Sequence, residues 1–165
     1  MTLLDRPLTY PEVGATAGQL PDGYDHLRAQ RVLGHGESMF RRATERLMSW
    51  QMHRAAGLTV EATTPRVEQG SRVRLRLGRH MLRISFGCQV IYVVEEERRR
   101  GFAYGTLQGH PEQGEERFCL DWRDDDAVVF TITAFSRPGV WWSRALAPIS
   151  HRLQQQYTRR YLHAL

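Results

Sequence analysis

Gly101-Phe-Ala-Tyr-Gly-Thr-Leu-Gln-Gly-His-Pro-Glu-Gln-Gly-Glu-Glu-Arg-Phe118 sets two strand-like runs on either side of a breaker-rich loop. Phe102–Leu107 favours β-structure through its aromatic and β-branched residues. Phe118–Trp122 alternates large apolar residues with other types, as a half-buried strand does. Between them Gln108–Gly114 is dense in glycine and proline, so the stretch reads as a hairpin with a long loop. The loop carries His110 and Glu112, and Glu115 and Glu116 stand where the next strand begins. Strand parity puts Glu116 on the face of Phe118, Leu120 and Trp122. A carboxylate there is costly unless it lies at the edge, is paired or is protonated. Two readings stay open: a solvated turn with Glu116 at an exposed strand end, or the rim of a binding site.

Working outward, Asp124–Asp126 is a tight turn and Ala127–Phe135 a last strand. Residues 140–165 read as a helix with Trp141, Trp142, Leu146, Ile149, Leu153, Tyr157 and Tyr161 in one stripe. Pro148 falls inside that pattern; it kinks the helix, or the helix starts there after a shorter helical turn. Upstream, Glu95–Arg100 is a charged hairpin tip whose opposite charges can pair locally. Cys88–Val94 and Met81–Phe86 read as two strands. Arg72-Val-Arg-Leu-Arg-Leu77 alternates strictly, and Thr59–Arg66 leans towards β until Pro65. Gly34-His35-Gly36 opens an amphipathic helix over about 37–56, with Phe40, Ala43, Leu47 and Trp50 on one side and Gly57 as a stop. A glycine turn before a helix can also hold an anion. Tyr24–Leu33 is a first strand. Residues 1–23, with three prolines, form an irregular lead-in that Tyr10, Val13 and Thr16 can dock on the body. The expected organisation is that lead-in plus one domain over 24–165. Its class is α+β: an antiparallel sheet of about 6–7 strands, one further helix after the first strand, and a long C-terminal helix over the apolar face.

Composition narrows the chemistry. At 165 residues, 41% hydrophobic and 25% charged, the chain reads as one soluble domain with no membrane span. The net charge is +5 and every basic residue is arginine. Without lysine there is no P-loop site and no Schiff-base or pyridoxal-type lysine. Without asparagine there is no glycosylation sequon. Cys88 and Cys119 are far apart, which suits two reduced, packed thiols in a cytoplasmic protein. Met1–Asp5 shows no basic segment followed by an apolar one, so no secretory signal is expected. Nothing calls for a cofactor.

The block at 101–118 resembles the signature of a family found in bacteria and plants, domain of unknown function nineteen-ninety. Further points of similarity are Tyr10 with Val13-Gly-Ala-Thr16, Leu33–Gly36 before Phe40, Trp50-Gln-Met52, Ala134–Pro138, and Gln155 with Tyr161. The likeness spans roughly residues 10 to 162. On architecture that family is similar to START-like, birch-pollen-allergen-like helix-grip proteins. The resemblance implies a cavity between a curved sheet and a C-terminal helix, holding lipids, hormones or polyketide-like molecules.

Three functions follow as expectations. The first is binding of a small hydrophobic or amphipathic ligand. Its aromatic walls would come from Trp50, Phe102, Tyr104, Phe118, Trp122, Phe130, Trp141 and Tyr157. Its polar points would be Tyr10, Thr16, His35, Thr106, His110, Glu112, Glu115, Glu116, Arg137 and Gln155. The second is a helix-grip enzyme of cyclase, dehydratase or hydrolase type, with His110 and Glu116 as catalytic candidates beside Glu112 and Glu115. The same groups offer nitrogen and oxygen to a metal, but their spacing matches no zinc pattern and no metal is assigned. The third is a nucleic-acid or anionic-surface binder through the row Arg72, Arg74, Arg76. Interleaved aromatics and a module motif are missing, which disfavours nucleic acid.

Overall fold

Strict alternation in Arg72–Leu77 places Val73 and Leu75 in the interior and sends the three arginines to the other side of the sheet. This strand, β3, is one of seven in the computed structural model, which describes residues 2–78, 84–139 and 147–165, and only the backbone of 147–151 and 153. The others are β1 (Asp25–His35), β2 (Thr59–Ala62), β4 (Ile84–Glu96), β5 (Arg99–Thr106), β6 (Glu112–Trp122) and β7 (Ala127–Pro138). Their order in the sheet is β1-β7-β6-β5-β4-β3-β2, and every neighbouring pair is antiparallel. The register slips between Val32 and Gly34 and between Val90 and Tyr92, where bulges bend the strands. The fold is the α+β helix-grip: a curved antiparallel sheet closed on its concave side by helices.

Among the described residues three α-helices make that closure. Helix α1 (Glu37–Met48) buries Phe40, Ala43, Leu47 and Met48. The single helix expected over 37–56 is in fact two, because Trp50 takes the left-handed conformation (φ 64°) between α1 and α2 (Gln51–Ala55). That backbone costs about 1–2 kcal/mol for a residue with a Cβ. The break turns Trp50, Met52 and His53 all inward, and burial of the indole offsets the cost. Arg54 is exposed and donates to the Ser49 carbonyl. The anion site considered at Gly34–Gly36 is closed by the chain itself, since the Gly36 N–H donates to the Asp126 carbonyl.

Helix α3 (Ala147–Leu162) lies against the concave face. Tyr161 packs edge-on against Phe118, Gln154 donates to Ser136, and Arg31 donates to the Leu162 carbonyl. Pro148 falls in the first turn of this helix as described, a position that tolerates proline. Residues 140–146 lie outside the described residues, and with them Trp141, Trp142, Leu146 and any kink ahead of Pro148.

Strand boundaries differ from the expectation, most usefully in β4 and β6. β4 runs through Gly87 as one strand where the sequence suggested two. β6 begins at Glu112, so the loop after β5 is only 107–111. The hairpin tip also pairs differently. Arg98 and Arg99 meet Asp124 (3.1 Å) and Asp121 (2.5 Å) rather than their own glutamates. Arg99 stands opposite Glu96 in the β4–β5 register and opposite Asp121 in the β5–β6 register, and its guanidinium bonds the aspartate. The outward arginine row is likewise engaged by the chain: Arg74 and Arg76 reach Glu61 (3.4 and 2.7 Å), and Arg72 donates to the Leu4 and Arg6 carbonyls.

Candidate functional site

The pleat of β6 divides the acidic residues of the hairpin between two faces. Glu116 pairs with Tyr104 and Ala134 in register, and all three face α3. Glu115 pairs with Gly105 and Phe135 and faces the convex side, where the N-terminal segment crosses the sheet.

On the convex side Glu115 is only 2% exposed and accepts four hydrogen bonds. Tyr10 Oη donates at 2.6 Å, the Gly14 N–H at 2.8 Å, the Thr16 N–H at 3.1 Å, and Thr16 Oγ1 closes the set. Burial beside this carboxylate pushes the Tyr10 phenol far above its ordinary value, so it stays a donor. The Tyr10 ring lies over Gly105, the position where a Cβ would collide with the phenol. Tyr10, Thr16 and the Glu115 carboxylate therefore form one buried polar cluster away from the concave face. Arg137 shares this side, stacked on Tyr24 at 4.4 Å and donating to Gln113.

On the concave side, a cavity of about 280 Å³ opens between the sheet and α3. Its floor is Tyr104, Thr106, Glu116, Ala134 and Ser136; its roof is Gln154, Tyr157, Thr158 and Tyr161. Leu58, Leu77, Ile84 and Phe86 make an apolar end, and His110, Pro111 and Glu112 border it from the β5–β6 loop. Glu116 receives one hydrogen bond among the described residues, from Tyr104 Oη at 3.2 Å. Burial pushes its carboxyl up to about 7, against the small opposing effect of that bond. Tyr161 brings a second phenol to the same spot, and burial holds both phenols well above their ordinary value.

His110 is fixed by its own loop. Its Nδ1 accepts from the Glu112 N–H at 2.9 Å, and its ring stands edge-on to Phe86 with centroids 4.8 Å apart. Burial lowers it to about 4, so at neutral pH the ring is uncharged, with its proton on Nε2.

Of the residues singled out from the sequence, the structure brings Tyr104, Thr106, His110, Glu112, Glu115, Glu116 and Tyr157 together around the cavity, Glu115 with its carboxylate turned to the N-terminal segment. Others stand elsewhere. His35 is exposed at the end of β1, and Trp50 is wholly buried in the core with Phe102, Phe118 and Phe130. Gln155 lies on the outer side of α3 with Arg152 and Arg159, and Gln154 is the glutamine that reaches the cavity. Apolar periodicity finds Tyr157 and Tyr161 of the cavity roof but misses Gln154 and Thr158, which are polar. His53 was also missed. It is fully buried within 6.3 Å of five aromatic rings, including Tyr104 and Tyr161, and neither ring nitrogen has a partner among the described residues. Burial lowers it to about 3. Among the described residues no group of three His, Cys, Asp or Glu side chains could hold a metal ion, and no helix is long and apolar enough to cross a membrane.

The arrangement has counterparts among solved structures. A hypothetical protein from Helicobacter pylori superposes with a TM-score of 0.62 over 96% of both chains at 9% identity. Truncated norcoclaurine synthase from Thalictrum flavum gives 0.57 over 88% of this chain and 95% of its own at 8% identity, and Ara h 8.0201 gives 0.55 over 86% and 98% at 6%. At such identities the likeness is one of fold. In sequence the chain is 37% identical to a UPF0548 protein of Deinococcus radiodurans, covering 95% of this chain and 85% of that one. It is 28% identical to a UPF0548 protein of Arabidopsis thaliana over 84% and 70%. With residues 9–164 matched by its model, the chain belongs to the family described as Domain of unknown function (DUF1990).

Proposed function

We propose that the protein binds a small, largely apolar molecule in the cavity between the sheet and α3, with Glu116 and Tyr104 as its polar anchor. The observation that carries this is the pairing of an apolar recess with a buried carboxyl that has one long hydrogen bond. A sheet that filled its concave side with packed side chains would leave neither. Thr106, His110 and Glu112 complete the rim; Tyr10, Thr16, Glu115 and Arg137 serve the site indirectly by holding the N-terminal segment to the back of the same strands. The buried thiols Cys88 and Cys119 suit a reducing compartment such as the cytoplasm.

The test is mass spectrometry of molecules extracted from purified wild type and from Ala134→Phe, which plugs the floor of the cavity. Wild type should carry a small apolar species that the plugged variant lacks. The same species at equal occupancy in both would overturn the reading.

A second reading has one observation in its favour. A carboxyl near 7 is poised to exchange protons at neutral pH, and Tyr104 lies beside it. Sharing a fold with a synthase transfers no activity. If turnover exists, Glu116→Gln should abolish it while leaving ligand in the cavity; turnover that survives the substitution removes Glu116 from the chemistry.

A further inference from the structure

The charges around the cavity run against the composition of the chain. The protein has 23 arginines against 18 acidic residues, yet among the described residues no arginine lines the cavity, while Glu112, Glu115 and Glu116 do; Glu112 and Glu115 have partners of their own. The two histidines nearby, His110 and His53, are held uncharged by burial. Among the described residues the acid left open to the recess is thus Glu116.

Glu116 is also under-satisfied in a way its neighbour is not. Glu115 takes four donors; Glu116 takes one, at 3.2 Å. Its remaining acceptor capacity borders the cavity. An ammonium group brings three donors and a positive charge, which is the complement of that vacancy. Phe86, Tyr104 and Tyr161 line the walls, and aromatic rings around a recess favour a cation further. A carboxylate or phosphate ligand would meet the reverse: a like charge at low dielectric with no described arginine to offset it.

We propose that the cavity selects a cationic amphiphile, a primary or secondary amine on an apolar body, with its ammonium against Glu116 and its tail towards Leu58, Leu77 and Phe86. This rests on the cavity-binding function above and names its ligand class.

One consequence is a proton. The groups facing Glu116 are Tyr104 on β5, Cys88 on β4 and Tyr161 on α3, with His53 beyond them on α2 and Glu112 along β6; Ala134 on β7 brings no charge. Burial keeps the phenols and the Cys88 thiol protonated and the histidines neutral across pH 5–8. Glu116, held near 7, is then part-protonated when the cavity is empty. An arriving ammonium favours the carboxylate and expels that proton.

The experiment compares octylamine, octanol and octanoic acid by titration calorimetry, on wild type and Glu116→Gln, at pH 7 and pH 8, each in two buffers of different ionisation enthalpy. For wild type at pH 8, octylamine should bind about ten-fold tighter than octanol, and octanoate weaker than either. At pH 7 the octylamine heat should depend on the buffer, reporting proton release, and the octanol heat should not. Glu116→Gln should bind octylamine and octanol alike, with no proton released. Octanol equal to octylamine on wild type, or octanoate the tightest of the three, overturns the amine assignment while leaving the cavity as a binding site. If none of the three binds, the binding function fails and this inference fails with it.

Discussion

Glu115 and Glu116 are consecutive residues on β6, and the pleat sends their carboxylates to opposite sides of the same sheet. On the convex side the first is enclosed by an N-terminal segment that supplies four donors. On the concave side the second is enclosed by apolar walls and a single phenol. Both are acids of one residue type, the first buried and the second half-buried. What separates them is the number of donors within reach. A carboxylate with its acceptors filled holds structure together. One with its acceptors open raises its affinity for a proton or for a ligand.

Four measurements test that contrast, beginning with the largest effect. Glu115→Ala leaves Tyr10 Oη and the Gly14 and Thr16 N–H groups buried without an acceptor and unfastens the N-terminal segment. Urea unfolding should show a loss on the order of 3–5 kcal/mol. Gly105→Ala attacks the same cluster from below, because the added methyl occupies the space of the Tyr10 phenol. Its cost should be about 2–3 kcal/mol, and it should shrink sharply in a Tyr10→Phe background if the phenol is what the methyl meets.

Glu116→Gln should act in the opposite direction. Burial raises the folded-state value from 4.5 to about 7, so the stability owed to the neutral acid is complete below pH 4.5 and is lost as pH rises through 7. The amide carries no such dependence. Wild type and variant should match at pH 4, and at pH 8 the variant should be the more stable by on the order of 1–3 kcal/mol. A variant less stable than wild type at pH 8 would show that the carboxylate is satisfied after all, and the contrast with Glu115 would collapse.

The smallest effect is at the rim. His110→Gln removes the ring from Phe86 and should cost about 1 kcal/mol at pH 7. The His110 contribution is complete above pH 6.5 and is lost as pH falls through about 4, so the deficit of the variant should narrow over that interval. A deficit that stays constant from pH 7 to pH 4 would place the imidazole in contact with water.

Much of this contrast could be read from the chain. Strand parity puts Glu116 with Phe118 and Leu120, where a carboxylate must lie at the edge, be paired or be protonated; beside Tyr104, burial pushes its carboxyl up to about 7. The alternation in Arg72–Leu77 and the family likeness led to the helix-grip. The partners of Glu115 were beyond reach, because they lie about a hundred residues upstream in a segment without periodicity. Tyr10 and Thr16 were noticed as docking residues and assigned to the wrong face for that reason. His53 escaped because local spacing favoured a continuous helix, and only the left-handed backbone at Trp50 turns it inward. Gln154 and Gln155 are adjacent in a run of three glutamines, and no local rule says which of them faces the sheet.

The sheet order carries a further consequence, for the time course of folding. β1 has a single neighbour, β7, and their register joins residues near the start of the chain to others about a hundred positions later. Until β7 has left the ribosome, β1 has no partner and β6 is an open strand edge. Strands β2 to β5 can meet as consecutive hairpins, but the sheet becomes complete only when its two most distant segments find each other, a loop closure that slows the final step. A nascent chain stalled before Ala127 should therefore depend on chaperones, and a released one should not.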